Sequence, residues 1–320
     1  MVVKVVDEVT AVHIFPIKSC REATVGRQLP RELAVGPRGF LVGAATDRGW
    51  VLADAEDLFV SQRGWDEQQA RKHRGDRILA TVAVDIGPDE LTVEVAGHGS
   101  LRVPLEADRG GRRSVRIFGP DLAVTDEGEE PARFFSELLG RPVRLTQADP
   151  SRPRMLPDRY HRPGAANQSA GADGRPFSLA SQASLDHLHD LVGWAPGTWP
   201  LTQYRANIDI DGRGLGPFGE DTLRRVRIGK MEAHVVKAIS RCPIPNIDQA
   251  SGDDSDRPST RLLRAGRMGW NAGDDPSGRP EPFFAQSLNH VHVTEPEQTV
   301  RVGDPLRVLE AGESNTVLRS

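Results

Sequence analysis

Short apolar runs separated by turn residues set the pattern of this chain. Val9 to Phe15 is rich in β-branched residues and stops at Pro16, as a strand would. Phe40 to Ala45 and Trp50 to Ala53 flank Thr46-Asp47-Arg48-Gly49, which predicts a hairpin. Ile78 to Ile86 and Leu91 to Val95 predict another around Gly87-Pro88-Asp89. Leu101 to Leu105, Val115 to Phe118, Leu122 to Val124 and Val143 to Thr146 add further strands. That density points to a barrel or sandwich. One helix is predicted among them, from Pro131 to Leu139. Proline suits its first position, Phe134, Phe135, Leu138 and Leu139 form an apolar stripe, and Gly140 stops it.

From Asp149 to Pro176 the chain turns rich in Pro, Gly, Arg and Asp, the composition of a linker. The expected division is therefore 1–148, a linker at 149–176, and 177–320. The second half opens with a strand, Phe177 to Ala180. A helix follows through Leu191, N-capped by Ser181, with Leu185, Leu188 and Leu191 at helical spacing. Ile208 to Ile210 is a strand. Val226 to Ile228 and Met231 to Ile239 form a hairpin around Gly229-Lys230, and Thr260 to Ala265 a short helix. Val291 to Val293, Val300 to Val302 and Leu306 to Leu309 are closing strands, and the acidic segment Ser251 to Arg257 reads as a mobile loop. The fold class expected is mainly β with a few short helices (α+β).

Composition adds little. The 320 residues suffice for two domains, and a net charge of −4 gives no argument for nucleic-acid binding. No apolar run approaches the roughly 20 residues that cross a bilayer. Met1 to Asp7 is too short and too soon charged for a signal peptide, and two distant cysteines make no disulfide framework, so a cytoplasmic location is expected.

The candidate chemistry gathers at Ser240-Arg241-Cys242-Pro243, where the Met231 to Ile239 strand ends. A thiol beside a fixed cation is where a thiolate is stabilised, and thiolates suit soft metals; a half-buried structural cysteine is the plain alternative. Lys18, Ser19, Arg38, Arg205 and Asn207 lie at predicted strand ends and are the groups a phosphorylated anion needs. His290 and His292 share a strand face but lack a third ligand. Gly212-Arg213-Gly214-Leu215-Gly216-Pro217 has the spacing of a dinucleotide loop, yet no helix or βαβ pattern follows it.

These pieces together resemble the MOSC domain preceded by its N-terminal β-barrel domain, as in amidoxime-reducing components and the C-terminal part of molybdenum-cofactor sulfurases. The resemblance rests on Phe15-Pro16-Ile17-Lys18-Ser19-Cys20, Arg38-Gly39-Phe40, Ser61-Gln62-Arg63, Ser181 with Ala183-Ser184-Leu185, Tyr204-Arg205-Ala206-Asn207, Ser240-Arg241-Cys242 and Val302-Gly303-Asp304-Pro305, in that order. It implies two packed β-barrel domains and a molybdenum cofactor, molybdenum held by a phosphorylated pterin. By that resemblance Cys242 is the metal ligand and catalytic centre. Lys18, Ser19, Arg38, Ser181, Arg205, Asn207, Ser240 and Arg241 hold the pterin. The implied reaction is reductive removal of oxygen from N-hydroxylated compounds such as amidoximes. Its partners are a small-molecule N-oxygenated substrate and a separate electron-donor protein (a reductase, haem or iron–sulfur protein), with no nucleic acid and no membrane.

Pro245 and Asn246 stand where the family usually has threonines, and Ala206 replaces a proline, all beside the implied site. Two alternatives stay open: a sulfur carrier with a Cys242 persulfide, and a cofactor-binding or insertion protein without turnover. Cys20 is read as a core residue.

Overall fold

The computed structural model describes residues 4–63, 74–106, 111–291 and 298–319. It is mostly β, as expected. Seven strands close into a barrel. Around it run Phe177–Ser181, Ile208–Ile210, Lys4–Val12, Pro305–Ala311, Leu223–Ile228, Met231–Ser240 and Glu281–His290, the last pairing back to the first. Every pairing in that ring is antiparallel except the first two strands, which are parallel. Parallel neighbours need a long crossover, and the helix Gln182–Val192 lies in it. Ser181 caps that helix, accepting a hydrogen bond from the Ser184 N–H at 3.4 Å, and Gly193 closes it in the left-handed region.

The first half forms three four-stranded sheets. One of them takes Thr299–Arg301 from the far end of the chain, beside Glu32–Gly36. Conversely, Lys4–Val12 is a strand of the second barrel. The expected cut at 148 and 177 therefore divides the sequence but not the strands. The two halves also share one apolar core, where Phe40 meets Phe177 edge to face at 4.9 Å. Such a contact favours an edge-on geometry because ring edges are positive and faces negative.

Several local expectations change. Trp50–Ala53 does not return onto Gly39–Val42; it pairs with Arg144–Ala148, and the tight hairpin is Gly39–Val42 with Ala45–Thr46. Trp50 to Ala53 is buried at every position, so this strand needed partners on both faces rather than a solvent-facing hairpin. Ile78 to Thr81 belongs to a 3-10 helix, Arg74–Thr81, and the hairpin behind it is Ala83–Ile86 with Glu90–Val95. The segment 149–176 is packed rather than free. Its Arg154 is buried and donates to the carbonyls of Pro120 at 2.8 Å and Ala172 at 2.7 Å. The acidic segment 251–257 is tied to Arg77 through Asp254 and folded on the Asp248 carboxylate. Of the strand expected at 291–293, Val291 makes only a bridge to Ala165, and His292 and Val293 lie outside the described residues.

The glycine loop has a packing role. A Cβ on Gly212 would sit 1.9 Å from Ser181 Oγ, and one on Gly214 would sit 1.7 Å from the Val6 carbonyl. The Asp7 carboxylate accepts the N–H groups of Gly214 and Leu215 at 2.8 and 3.1 Å. The loop thus docks the first strand onto the barrel.

His13, just beyond that strand, is buried between Glu22 and Asp209, with Nε2 2.9 Å from Asp209. Burial alone would push its pKa down; the hydrogen bonds to Asp209 and Glu22 prevail and raise it to about 10. A histidine raised in the folded state stabilises fully below its ordinary value near 6.5, and that contribution fades as pH rises through about 10. We expect the urea midpoint to fall between pH 7 and 10 and the fall to shrink in His13→Gln. An equal fall in both proteins would assign it elsewhere.

Candidate functional site

The strand Met231–Ser240 alternates buried and half-buried residues up to Val236, shifts register there against Glu281–His290, and delivers Arg241 and Cys242 at its end. Pro243 and the 3-10 turn Ile244–Asn246 stop the strand there. Cys242 is half-buried, free, and in the wall of a cavity of 780 Å³.

Arg241 is turned inward. Its N–H donates to the Pro282 carbonyl at 2.8 Å, its Nε to the Phe284 carbonyl at 2.7 Å, and its Nη1 to the Tyr204 carbonyl at 3.0 Å. Its Nη2 is buried without a partner. Burial pulls its pKa down to about 10, against the opposing influence of Cys242 and Tyr204. Arg205 is likewise lowered to about 10, by burial and then by the charge of Arg48. It donates to Gln249 Oε1 at 2.8 Å and to the Cys20 carbonyl at 2.6 Å, and lies over the Phe15 ring. Two incompletely compensated guanidinium groups in a low-dielectric interior make a place where an anion is stabilised.

Lys18 completes the cationic group. Its buried Nζ donates to the Gly171 carbonyl at 2.7 Å and to Asp173, while burial pulls its pKa down. Ser19 holds φ 72 and its carbonyl accepts from Gln62, which also meets Gln249 at 3.2 Å. Asn207 donates to the His13 carbonyl at 3.2 Å and to Asp47 at 3.1 Å. Arg205 is thus linked to Ser19 through Gln249 and Gln62 and to Asn207 through Arg48, although they lie far apart in sequence, while of the expected residues Arg241 and Cys242 line the cavity itself. Ser240 is half-buried beside them, opposite Phe283.

Two of the expected residues do not join this group. Ser181 is fully buried, its Oγ engaged as a helix cap and enclosed by Gly212. Arg38 is half-buried, and burial pulls its pKa down against the opposing charge of Asp149. Sequence reasoning also missed residues. Arg48 sits between Asp47 and Arg205: its Nη2 donates to the Arg205 carbonyl at 3.1 Å and its Nη1 to Asn207 at 3.3 Å and to Asp47. Ser19, Arg48 and Arg205 all have positive φ, at 72°, 52° and 54°. Such conformations cost free energy in non-glycine residues and cluster at functional sites. Read as a hairpin turn, Asp47-Arg48 looked solvent-exposed. The all-apolar run after it, Trp50 to Ala53, is the signal that the turn dips inward.

Cys20 is fully buried in the core, and burial pushes its thiol up to about 12. Among the described residues no cluster of three or more His, Cys, Asp or Glu could hold a bare metal ion. A metal at Cys242 has to bring most of its own ligands. A phosphorylated, soft-metal pterin does so, and the donor set here fits it: one accessible thiol, cations on one side of it, and an unpartnered Arg241 nitrogen.

Comparison with known proteins agrees with this geometry. Residues 6–142 match the MOSC N-terminal beta barrel domain and residues 166–307 match the MOSC domain. The chain is 28% identical over 314 residues to mitochondrial amidoxime-reducing component 1 of Homo sapiens, covering 95% of this chain and 83% of that protein. It is 26% identical over 310 residues to mitochondrial amidoxime reducing component 2 of Rattus norvegicus. Against molybdenum cofactor sulfurase of Danio rerio it is 25% identical over 277 residues, 81% of this chain but 31% of the longer protein. With both domain matches in order over most of its length, the chain belongs to the MOSC-domain proteins that carry an N-terminal MOSC β-barrel domain.

Proposed function

We propose that this protein is a molybdenum-cofactor-dependent oxidoreductase that reduces N-hydroxylated compounds. The observation that carries the reading is Cys242 in the cavity wall beside the inward-turned Arg241, whose Nη2 lacks a partner. Cofactors of this kind carry the hard chemistry, and the protein binds and orients them. When bound, the molybdenum–pterin would supply the two-electron reduction of an N–O bond. Cys242 Sγ would be its protein ligand. Lys18, Arg48, Arg205 and Arg241 would neutralise its phosphate, with Asn207 and the Ser19 backbone fixing their positions. The likeness to amidoxime-reducing components supports the substrate class.

Electrons would come from a separate donor protein, a reductase, haem or iron–sulfur protein. No helix among the described residues is long and apolar enough to cross a membrane.

The test is molybdenum and pterin content of protein made in a cofactor-producing host, followed by reduction of benzamidoxime with a chemical electron donor. Near-stoichiometric molybdenum with turnover is expected. Bound cofactor without turnover on any N-hydroxylated compound would favour a carrier role, and absence of both metal and pterin would sink the reading.

A further inference from the structure

The cavity beyond Cys242 has a charge that cofactor binding does not explain. Arg63, Arg77, Arg241, Arg257, Arg264 and Arg279 line it, against the carboxylates of Asp254 and Glu281. Arg77 and Asp254 pair with one another and Arg241 is turned inward, which leaves Arg63, Arg257, Arg264 and Arg279 in the wall with one carboxylate, Glu281. The chain as a whole is acidic, at −4. Among the described residues, no carboxylate lies within ion-pair reach of Arg257, Arg264 or Arg279, and the ion pair in the cavity wall is that of Arg77 with Asp254.

These side chains also come from separate parts of the chain. Arg63 follows the strand Trp50–Ala53. Arg257 and Arg264 start and end the helix Pro258–Gly266, and Arg279 precedes the strand Glu281–His290. Folding brings like charges to one opening, which costs self-repulsion unless an anion is received there. Between them Leu263, Met268, Pro243 and Pro282 give the wall apolar patches beside the polar Asn246, Ser259 and Thr260. A cleft lined by one sign of charge focuses its field and raises the local concentration of the opposite charge.

Resting on the reading of Cys242 given above, we propose that the site selects N-hydroxylated substrates with an apolar body and an anionic group. The anionic group lies against Arg264 and Arg279 at the rim, while the N–OH end reaches toward Cys242. A carboxylate suits a planar guanidinium through two parallel hydrogen bonds, and a phosphate does so equally.

The test is a pair of probes, benzamidoxime and 4-carboxybenzamidoxime, titrated by calorimetry into cofactor-loaded protein without an electron donor, so that binding is read apart from turnover. We expect the carboxylated probe to bind about 10-fold tighter at low ionic strength. The difference should shrink at about 1 M salt, where the screening length falls to about 3 Å. In the double variant R264Q/R279Q the preference should fall to within about 2-fold, since exposed ion pairs each contribute modestly. Arg307→Gln, the same charge change on the exposed face of the barrel strand Pro305–Ala311, should keep it. Equal binding of the two probes, or an unchanged preference in the double variant, overturns the proposal. So does a loss of molybdenum and pterin from that variant, which would assign these arginines to the cofactor's phosphate. If the unaltered protein holds no molybdenum, the reading of Cys242 fails separately, and the same titration on cofactor-free protein still decides the anion preference.

Discussion

On the function proposed above, Cys242→Ala should abolish N-reduction and release molybdenum while leaving the fold intact. Groups that merely orient a metal ligand typically cost 10- to 100-fold when removed, so loss of the proposed protein ligand should exceed about 100-fold in turnover. Stability should change little. Cys242 is half-buried, lies after the end of its strand, and is outside the apolar clusters of the core. A substitution of that kind usually stays within about 0.5 kcal/mol. The decisive measurement pairs metal content with the urea midpoint. An unchanged midpoint with molybdenum gone identifies a ligand. Unchanged turnover would end the assignment. The sulfur-carrier alternative predicts the same loss of function but a different parent protein: its fresh mass spectrum would show one extra sulfur atom on Cys242, transferable to an acceptor, and no molybdenum.

How much of this site the sequence announces depends on the range of the contacts that build it. The hairpin Leu223–Ile228 with Met231–Ser240 was legible because Met231, Ala233 and Val235 alternate with less buried neighbours across Gly229-Lys230. The helix after Ser181 was legible because its cap and leucine stripe are local. Its correct local reading also explains why Ser181 is unavailable to a ligand. The strand Glu281–His290 was not legible. It is buried on both faces, including Gln286, Ser287 and Asn289, so no period of two appears. Nor did the sequence place Lys4–Val12 in the second barrel, because its partners Ile208–Ile210 and Pro305–Ala311 lie some 200 to 300 residues away. Arg48 escaped for the same reason: the groups that fix it, Asn207 and Arg205, are 159 and 157 residues distant. The resemblance to a family pointed to Arg205, Asn207 and Arg241 but not to the contacts that link them to Arg48 and Tyr204. Local propensity decides elements; the meeting of Arg48, Arg205 and Arg241 is decided by barrel closure.

Arg267→Ala should be the most destabilising single change outside the apolar core, and it should damage the site from a distance. Arg267 is 2% exposed. Its Nη2 meets Asp221 at 2.7 Å, its Nε donates to the Phe283 carbonyl at 3.1 Å, and its guanidinium lies 4.2 Å from the Phe218 ring centroid. The other oxygen of Asp221 accepts from Gln286 at 2.6 Å. Removing one partner strands a buried carboxylate, at a cost of about 3–5 kcal/mol. The Phe283 carbonyl neighbours that of Phe284, which holds Arg241. Loss of Arg267 therefore loosens the strand segment that orients the cysteine's neighbour. The expected result is a large drop in the urea midpoint, together with reduced cofactor retention at temperatures where the variant is still folded. The pair can be told from its parts by R267M/D221L, in which no buried charge is left unpaired. That double variant should be less destabilised than either single one, as replacing both members of a buried pair often is. If it proves at least as unstable as R267A, the arginine acts through packing on Phe218 rather than through charge. If R267A retains its cofactor fully while folded, the coupling through Phe283 and Phe284 is wrong, and Arg241 is held by its own three carbonyls alone.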